Sequence, residues 1–178
     1  MTTIDARSDY VPRFVEAAEA VGCETTRTGP AEATDAIADA TSGFTVGSAW
    51  WFDDVSHSDE FALPNAVVVD PSVAELERAE TGVTGAPFAI APYGTVAVPS
   101  TPALDGPISL YPERHVAVVR ATDVEPDVGS ALSRLADSFA AGSNDVVFVT
   151  GPSSTGDMGA LVRGVHGPGE MHVVVIEE

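Results

Sequence analysis

Lysine is absent from this 178-residue sequence, and only one residue, Cys23, is a cysteine. Without lysine the chain cannot form a Schiff base with a carbonyl compound or build the lysine-containing loop of P-loop proteins. A single thiol cannot form a disulfide within the chain, nor can it supply the four thiolates that usually hold an iron–sulfur cluster. We therefore expect this chain to bind no redox cofactor of its own.

Positive charge is also scarce. The chain has 27 acidic residues and 8 basic residues, all of them arginine, which gives a formal net charge of −19. The acidic residues are spread through apolar, periodic segments, a pattern that indicates a folded acidic surface adapted to high salt. No basic stripe is present to displace counterions, so nucleic acid and anionic membrane surfaces are not expected as partners.

Long apolar runs are missing as well. No stretch approaches the length that a membrane-spanning helix needs, and the N-terminus lacks the basic start and apolar run of a signal peptide. We therefore expect a cytoplasmic protein without membrane insertion.

Apolar residues make up 44% of the sequence, enough for one domain over residues 1–178 with a single core. Residues 1–64 form a less patterned N-terminal helical part, and residues 65–178 carry the motifs. The pattern predicts strands at residues 23–28, 65–70, 115–120, 145–150 and 172–176 and helices at residues 10–21, 30–40, 73–79 and after Asp127. The continuous β-branched run at 65–70 is typical of a strand buried on both faces.

Two further features complete the predicted fold. Residues 89–91 and 95–98 flank a turn and indicate a hairpin. The helix after Asp127 should bury one side, which carries Ala131, Leu132, Leu135 and Phe139. We expect an α/β fold with an open sheet covered on both faces and an inserted hairpin.

The segment 150–157, TGPSSTGD, is the first candidate site. It follows a predicted strand and is expected to lead into a helix, which would place it at the carboxyl end of the sheet. Gly151 allows close backbone approach, and amides at a helix start attract a carboxylate or phosphate. Asp157 would cap those amides or orient a ligand, and the hydroxyls come from Ser153, Ser154 and Thr155. The alternative is a capped turn whose hydroxyls satisfy backbone groups.

A second glycine-bearing region spans residues 82–95. It differs from a dinucleotide-binding motif because its glycines precede and interrupt strands rather than opening a helix. Turns and close packing explain the glycines, and a ligand role is the alternative. The candidate ligand residues here are Thr84, Gly85, Gly94 and Thr95.

His166, within the sequence VHGP, lies in a predicted turn before the last strand. An imidazole there would bind a carboxylate or move a proton, or else lock the turn through backbone hydrogen bonds. His115 and His172 begin strands and are interpreted as structural.

An acidic group near residue 55 resembles a hard-metal site on paper, but a chain this acidic produces such groups by chance, so no metal is predicted. Its members are Asp53, Asp54, His57, Asp59 and Glu60. Trp50 and Trp51 are adjacent and cannot both point inward from a strand, so one of them is a candidate for a partner interface.

Four motifs occur in order in the second half of the chain: TGVTGA at 81–86, AIAPYGT at 89–95, LYPERHVAVVR at 110–120, and TGPSSTGD at 150–157 followed by VHGP at 165–168. Read together, they resemble the LutC-like branch of the LUD-domain family over residues 80–177, in an acidic, haloarchaeal-type version. The resemblance implies a Rossmann-like open sheet with an inserted hairpin, similar to the fold of ribose-phosphate isomerases and CoA transferases.

The same resemblance implies a role beside two iron–sulfur proteins that oxidise L-lactate to pyruvate. We expect an accessory subunit that binds a small carboxylate or phosphate, or a partner, at residues 151–157, with the iron–sulfur clusters on its partners. A stand-alone enzyme or binding protein for a phosphorylated or carboxylated metabolite is one alternative, and a non-catalytic scaffold is another. In any catalytic role, Asp157 and His166 are the candidate catalytic residues.

Overall fold

The structure is a computed structural model and describes residues 10–53, 61–142, 145–157 and 160–177. The helices are α1 (Tyr10–Ala20), α2 (Pro30–Ala40), α3 (Val73–Arg78), α4 (Asp105–Leu110) and α5 (Val128–Ala140). The strands are β1 (Glu24–Thr28), β2 (Thr45–Gly47), β3 (Val68–Val69), β4 (Thr81–Gly85), β5 (Phe88–Ile90), β6 (Thr95–Pro99), β7 (Arg114–Arg120), β8 (Val124–Glu125), β9 (Val146–Thr150), β10 (Ser154–Asp157), β11 (Ala160–Arg163) and β12 (Glu170–Ile176).

Six parallel strands form the central sheet in the order β1-β12-β7-β4-β2-β3. Its middle strands β7 and β12 are rich in valine and bury both faces, as parallel strands in α/β proteins do. On one face α1 packs over the sheet through Phe14, and on the other α2 packs through Ile37. The predicted α/β fold with an open sheet is confirmed, and the structure shows that its central sheet is parallel.

A second sheet, in the order β8-β5-β6-β9, packs its inner face against the first. Strands β5 and β6 form the predicted hairpin around the turn Ala91–Tyr93, and Gly94 adopts a left-handed conformation with φ of 59°. A Cβ atom at Gly94 would collide with the backbone of Ala18, so the hairpin turn touches α1 directly. The outer face of this sheet packs against α5 through Ala131 and Leu135.

The predicted helix after residue 157 is wrong. Strand β9 is followed by β10, which pairs with β11 in an antiparallel hairpin. Moreover, β9 belongs to the second sheet, where it pairs antiparallel with β6. The segment 150–157 therefore does not lie at the carboxyl end of a parallel strand, and its described residues include no helix-start amides that would hold an anion.

Two other predictions are corrected. Within residues 65–70 only Val68–Val69 is a strand; it lies at the edge of the central sheet, and Val69 is exposed, so this segment is not buried on both faces. In α5, Leu132 and Phe139 are exposed, so the predicted burial of these two residues is wrong. The helix packs mainly on β5 and β8, and it leaves part of the outer face of the second sheet uncovered.

Candidate functional site

Two loops meet at the amino edge of the central sheet, where β7 and β12 begin. The backbone amide of Ser153 donates to the carbonyl of Pro168 (2.8 Å), and that of Gly164 donates to the carbonyl of Ser153 (3.0 Å). Gly151 has φ of 70°, and a Cβ atom there would lie 2.6 Å from the carbonyl oxygen of Val21. Glycine at position 151 is therefore required both by backbone conformation and by close approach to the end of α1.

Cys23, at the start of β1, lies beside the same loop. Burial raises the pKa of its thiol to about 11, although a hydrogen bond from the backbone of Gly151 acts in the opposite direction. A thiol with so high a pKa is protonated at neutral pH, so Cys23 is a packing residue and not a nucleophile.

A cavity of about 180 Å³, called the Arg163 cavity, opens between this loop and the sheet edge. Most of its lining is polar or glycine, in contrast to the apolar core beneath it. The lining consists of Gly22, Glu24, Arg114, Pro152, Arg163, Gly169, Glu170 and Met171.

Arg114 organises the floor of this cavity. Its guanidinium donates to the carbonyl of Ala40 (2.7 Å), to Glu170 Oε2 (2.6 Å) and to Glu24 Oε2. The hydrogen bond from Arg114 and its charge hold the pKa of the Glu24 carboxyl below its usual range. Both carboxylates thus balance the charge of Arg114, and this guanidinium is fully engaged by groups of the protein.

His172 also faces this cluster and completes it. Its Nε2 lies 2.8 Å from Thr26 Oγ1, and its Nδ1 lies 3.2 Å from Glu24 Oε2. Burial lowers the pKa of His172, while the neighbouring Glu24 carboxylate acts in the opposite direction. These contacts tie β12 to β1 and support the interpretation of His172 as structural.

Arg163 is the second cation of the cavity, and its position differs from that of Arg114. Among the residues that the structure describes, it forms no salt bridge, and its Nη2 lies close to Gly22. In a chain with more than three acidic residues for each arginine, an unpaired guanidinium over a polar cavity is a candidate anion ligand. Arg163 was not predicted from the sequence. It could have been singled out because arginine is scarce in this chain and Arg163 closely follows the segment 150–157.

His166 lines a separate cavity of about 310 Å³ on the other side of the loops, together with Tyr111, Glu113 and Gly167. The imidazole is exposed. The Glu113 carboxylate lies against Gly164 and Gly169, which places it between the two cavities. Gly167 packs on the side chain of Ser153, so the structure brings His166 and Ser153 to the same edge of the sheet.

The other predicted ligand residues lie elsewhere. Oγ1 of Thr95 and Oγ1 of Thr150 are 2.7 Å apart and hydrogen-bond across β6 and β9. Gly94 packs on α1 as described, and a Cβ atom at Gly85 would collide with the Trp51 side chain. Turns and close packing therefore account for both glycines.

Thr84 lies inside the core, where its hydroxyl meets Nε2 of His115 at 2.9 Å. Burial lowers the pKa of His115 to about 4. Along the segment 151–157, Ser154 is exposed and Thr155 is partly buried, while the side chain of Asp157 lies outside the described part of the structure. The roles predicted for these residues in ligand binding or catalysis stay predictions.

Trp50 and Trp51 lie in a turn after β2, not in a strand, and they differ in burial. Trp51 is buried and packs edge-on against Phe52, with ring centroids 5.1 Å apart. Trp50 is 44% exposed and lines a cavity of about 460 Å³ whose lining has no charged residue. Its lining also includes Phe88, Pro99 and Leu135.

Most of the acidic group near residue 55 lies outside the described residues, namely Asp54, His57, Asp59 and Glu60. Elsewhere in the described chain, no three His, Cys, Asp or Glu side chains are grouped as a metal site would require. None of the described helices is long and apolar enough to span a membrane.

Nearly the whole chain matches a known family. The match covers residues 11–176, and the family is described as LUD domain. The chain belongs to the LUD domain family. This confirms the family predicted from the four motifs, and the match also covers the N-terminal part, where the sequence showed no motif.

Among LUD domain proteins, the chain is similar to those named lactate utilization protein C. It is 32% identical over 120 residues to the protein from Bacillus licheniformis, covering 64% of this chain and 49% of that protein. It is 34% identical over 108 residues to the protein from Deinococcus radiodurans, covering 59% and 50%. The matched segment thus spans about half the length of these relatives.

A solved structure has the same fold over almost its full length. The crystal structure of a DUF162 family protein from Deinococcus radiodurans superposes with a TM-score of 0.72 at 25% sequence identity, covering 96% of this chain and 98% of that one. The arrangement of the two sheets described above is therefore shared with an experimentally determined relative.

Proposed function

We propose that this chain serves lactate utilisation as an accessory subunit without redox centres and that it holds a small 2-hydroxy carboxylate in the Arg163 cavity. The link to lactate comes from the names of its relatives. The observation that carries the proposed site is Arg163, a cation with no salt bridge to a described residue, placed over a polar cavity beside the segment 151–157.

The size of the cavity suits a small ligand. Its volume is about 180 Å³, and it opens to solvent between the loop and the sheet edge. Lactate has six non-hydrogen atoms, whereas a sugar phosphate or a nucleotide is much larger. A small organic acid such as lactate therefore fits inside the cavity.

The hydrogen-bond donors and acceptors of the lining favour a hydroxy acid over a keto acid. Arg163 offers donors for a carboxylate, while the carboxylates of Glu24 and Glu170 only accept hydrogen bonds. Lactate presents a carboxylate and a hydroxyl donor, so it satisfies both. Pyruvate has a carbonyl in place of that hydroxyl, and its oxygen would face the carboxylates without a proton to share.

Calorimetric titration of the purified chain with L-lactate, pyruvate and inorganic phosphate tests this site. We expect lactate to bind more tightly than pyruvate or phosphate. Replacing Arg163 with glutamine should weaken lactate binding by about tenfold or more. Arg13→Gln is the matched control, because Arg13 is exposed on α1 and also forms no salt bridge to a described residue. Equal lactate affinity in the Arg163→Gln and Arg13→Gln variants would contradict the proposed site.

The accessory role is tested separately by affinity purification of the tagged chain from its host at high salt. The single thiol of this chain cannot hold a cluster, so an accessory subunit would depend on partners that carry the clusters. We therefore expect to recover cysteine-rich iron–sulfur proteins. Recovery of the chain alone, with lactate binding intact, would instead favour a stand-alone binding protein.

His166 supports a second candidate, an enzyme that acts on a carboxylated metabolite. Its exposed imidazole shares a cavity with Tyr111 and Glu113, the residue types that serve in general acid–base catalysis. In an active assembled complex, His166→Gln should then lower turnover while lactate binding at the Arg163 cavity is unchanged. Unchanged turnover would contradict a catalytic role for His166 and favour an accessory role without catalysis.

A further inference from the structure

The two larger sheets have four edge strands, and three of them carry features that discourage pairing with another chain. Strands β3 and β8 are two residues long. Strand β1 carries Glu24 and Arg27, and β8 ends at Glu125 and is followed by Pro126. Short length, charge and proline are the usual means by which proteins protect sheet edges.

Strand β9 has none of these features within its own residues, although Asp145 precedes it and Pro152 follows shortly after it. It is five residues long, with the sequence VVFVT, and contains no charge, glycine or proline. It pairs with β6 on one side, and no other strand in the described part of the chain pairs with its second side. Because backbone N–H and C=O groups alternate between the two sides of a strand, its open side presents unpaired hydrogen-bonding groups.

The side chains around this strand are apolar and exposed. Phe148 is 42% exposed, Leu132 52% and Tyr93 54%. Together with Val128 and Thr150 they form the β9 face, which borders a cavity of about 280 Å³. None of the eight residues that line this cavity is charged, although charged residues make up 20% of the chain. Large exposed aromatic and aliphatic groups clustered in this way mark an interaction surface.

We infer that β9 pairs antiparallel with β9 of a second copy of this chain, so that the two four-stranded sheets join across a two-fold axis. The charge of the chain favours a second copy over a basic partner as the occupant. A basic partner would be drawn to the acidic surface and would gain nothing from an uncharged strand. A second copy, which also carries a net charge of −19, needs an uncharged surface on which to approach.

The strand is also complementary to itself. Phe148 is the central residue of β9, and a two-fold axis at Phe148 pairs Val146 with Thr150 and Val147 with Val149 of the second copy. Such antiparallel pairing uses every residue of the strand and places β-branched and aromatic side chains opposite one another. Thr150 then lies in the dimer interface, whereas Thr95, which was predicted to bind a ligand, lies behind it on β6.

Sedimentation equilibrium of the full chain at high salt tests the dimer, with a monomer mass of 18.3 kDa as the reference. We expect a dimer whose dissociation constant rises about tenfold or more in Phe148→Glu, which buries two carboxylates at the two-fold axis. Val162→Glu is the matched control, because Val162 is also 42% exposed but lies on β11. A monomer at all concentrations, or equal dissociation constants for the two variants, would overturn the inference.

Disulfide trapping identifies the contact itself and does not depend on how strongly a charged variant is destabilised. Phe148→Cys, treated with copper phenanthroline and oxygen as the oxidant, should form an intermolecular disulfide, since two-fold pairing brings the two thiols together. Val162→Cys should not. Cys23 is buried and stays silent in both variants. Equal crosslinking of the two variants would overturn the inference, and neither experiment requires the ligand of the Arg163 cavity.

Discussion

Oγ1 of Thr84 lies 2.9 Å from Nε2 of His115, and neither side chain reaches solvent. Thr84 is in β4 and His115 is in β7, so this hydrogen bond joins two neighbouring strands of the central sheet. Nδ1 of His115 has no hydrogen-bond partner among the described residues. The Thr84 hydroxyl is therefore the main polar support of a buried imidazole.

Removal of this hydroxyl should destabilise the protein. Thr84→Val keeps the shape of the side chain but leaves Nε2 of His115 unpaired in the core, at a cost of about 1–3 kcal/mol in the free energy of unfolding. Thr28→Val is a suitable control, because the Thr28 hydroxyl is only partly buried and sits at the end of the edge strand β1. Urea unfolding of both variants makes the comparison, and an equal loss of stability would contradict the role given to Thr84.

The stability should also depend on pH through His115. Burial lowers its pKa from 6.5 to about 4, so the unfolded chain takes up the proton first as the pH falls. The contribution of neutral His115 is therefore complete above about pH 6.5 and is lost towards pH 4, a change of about 3 kcal/mol in the free energy of unfolding. His115→Asn should remove most of this dependence in urea titrations across that range. A variant with the same pH dependence as the parent chain would show that other groups are responsible.

The elements that sequence reasoning predicted well are those whose signals are local. Helix α2 was predicted with its observed bounds, because Pro30 occupies a first helical position and alanines follow it. Strands β7 and β12 were predicted from continuous valine-rich runs. The hairpin of β5 and β6 followed from the turn that ends at Gly94.

What the sequence did not reveal is which sheet each strand joins. The apolar run of β9 resembles that of β7, yet β9 is an edge strand of the second sheet. As a result, the segment 150–157 lies at the amino edge of the central sheet and not at its carboxyl edge. Thr84 and Thr95 are close in sequence but belong to different sheets. Arg163 acquires its position over the cavity only through the pairing of β10 with β11 and the return of the chain to the central sheet, which no local pattern predicts.

Gly94 should tolerate no side chain. Alanine there meets the backbone of α1 at Ala18 in addition to the strain of a left-handed conformation, so Gly94→Ala should cost about 3 kcal/mol or more. Gly142→Ala is the matched control, because Gly142 has φ of 106° but nothing lies within 4 Å of the place that a Cβ atom would take. We expect about 1 kcal/mol for that variant from backbone strain alone. Thermal unfolding measures the difference, and equal losses would show that contact with α1 does not limit the turn.

Salt should stabilise the protein strongly. A net charge of −19 on 178 residues repels itself in the folded state, and at about 1 M ionic strength the screening length falls to about 3 Å. The unfolding temperature should therefore rise steadily from low salt to molar potassium chloride. Glycerol or another uncharged cosolute at matched viscosity is the control. An unfolding temperature that does not change with salt would contradict the interpretation of the acidic surface.

The two adjacent tryptophans offer a direct check on the local structure. Trp51 packs among Phe52 and Phe61 and is 4% exposed, whereas Trp50 is 44% exposed. Acrylamide should therefore quench the fluorescence of the parent chain in two phases, since one indole is accessible and the other is protected by the core. Trp50→Phe should leave a blue-shifted, weakly quenched emission, and Trp51→Phe should leave a readily quenched one and lower the stability. If Trp50 instead became protected when the protein concentration is raised, while Phe148→Glu kept it accessible, its surface would belong to the same interface as β9.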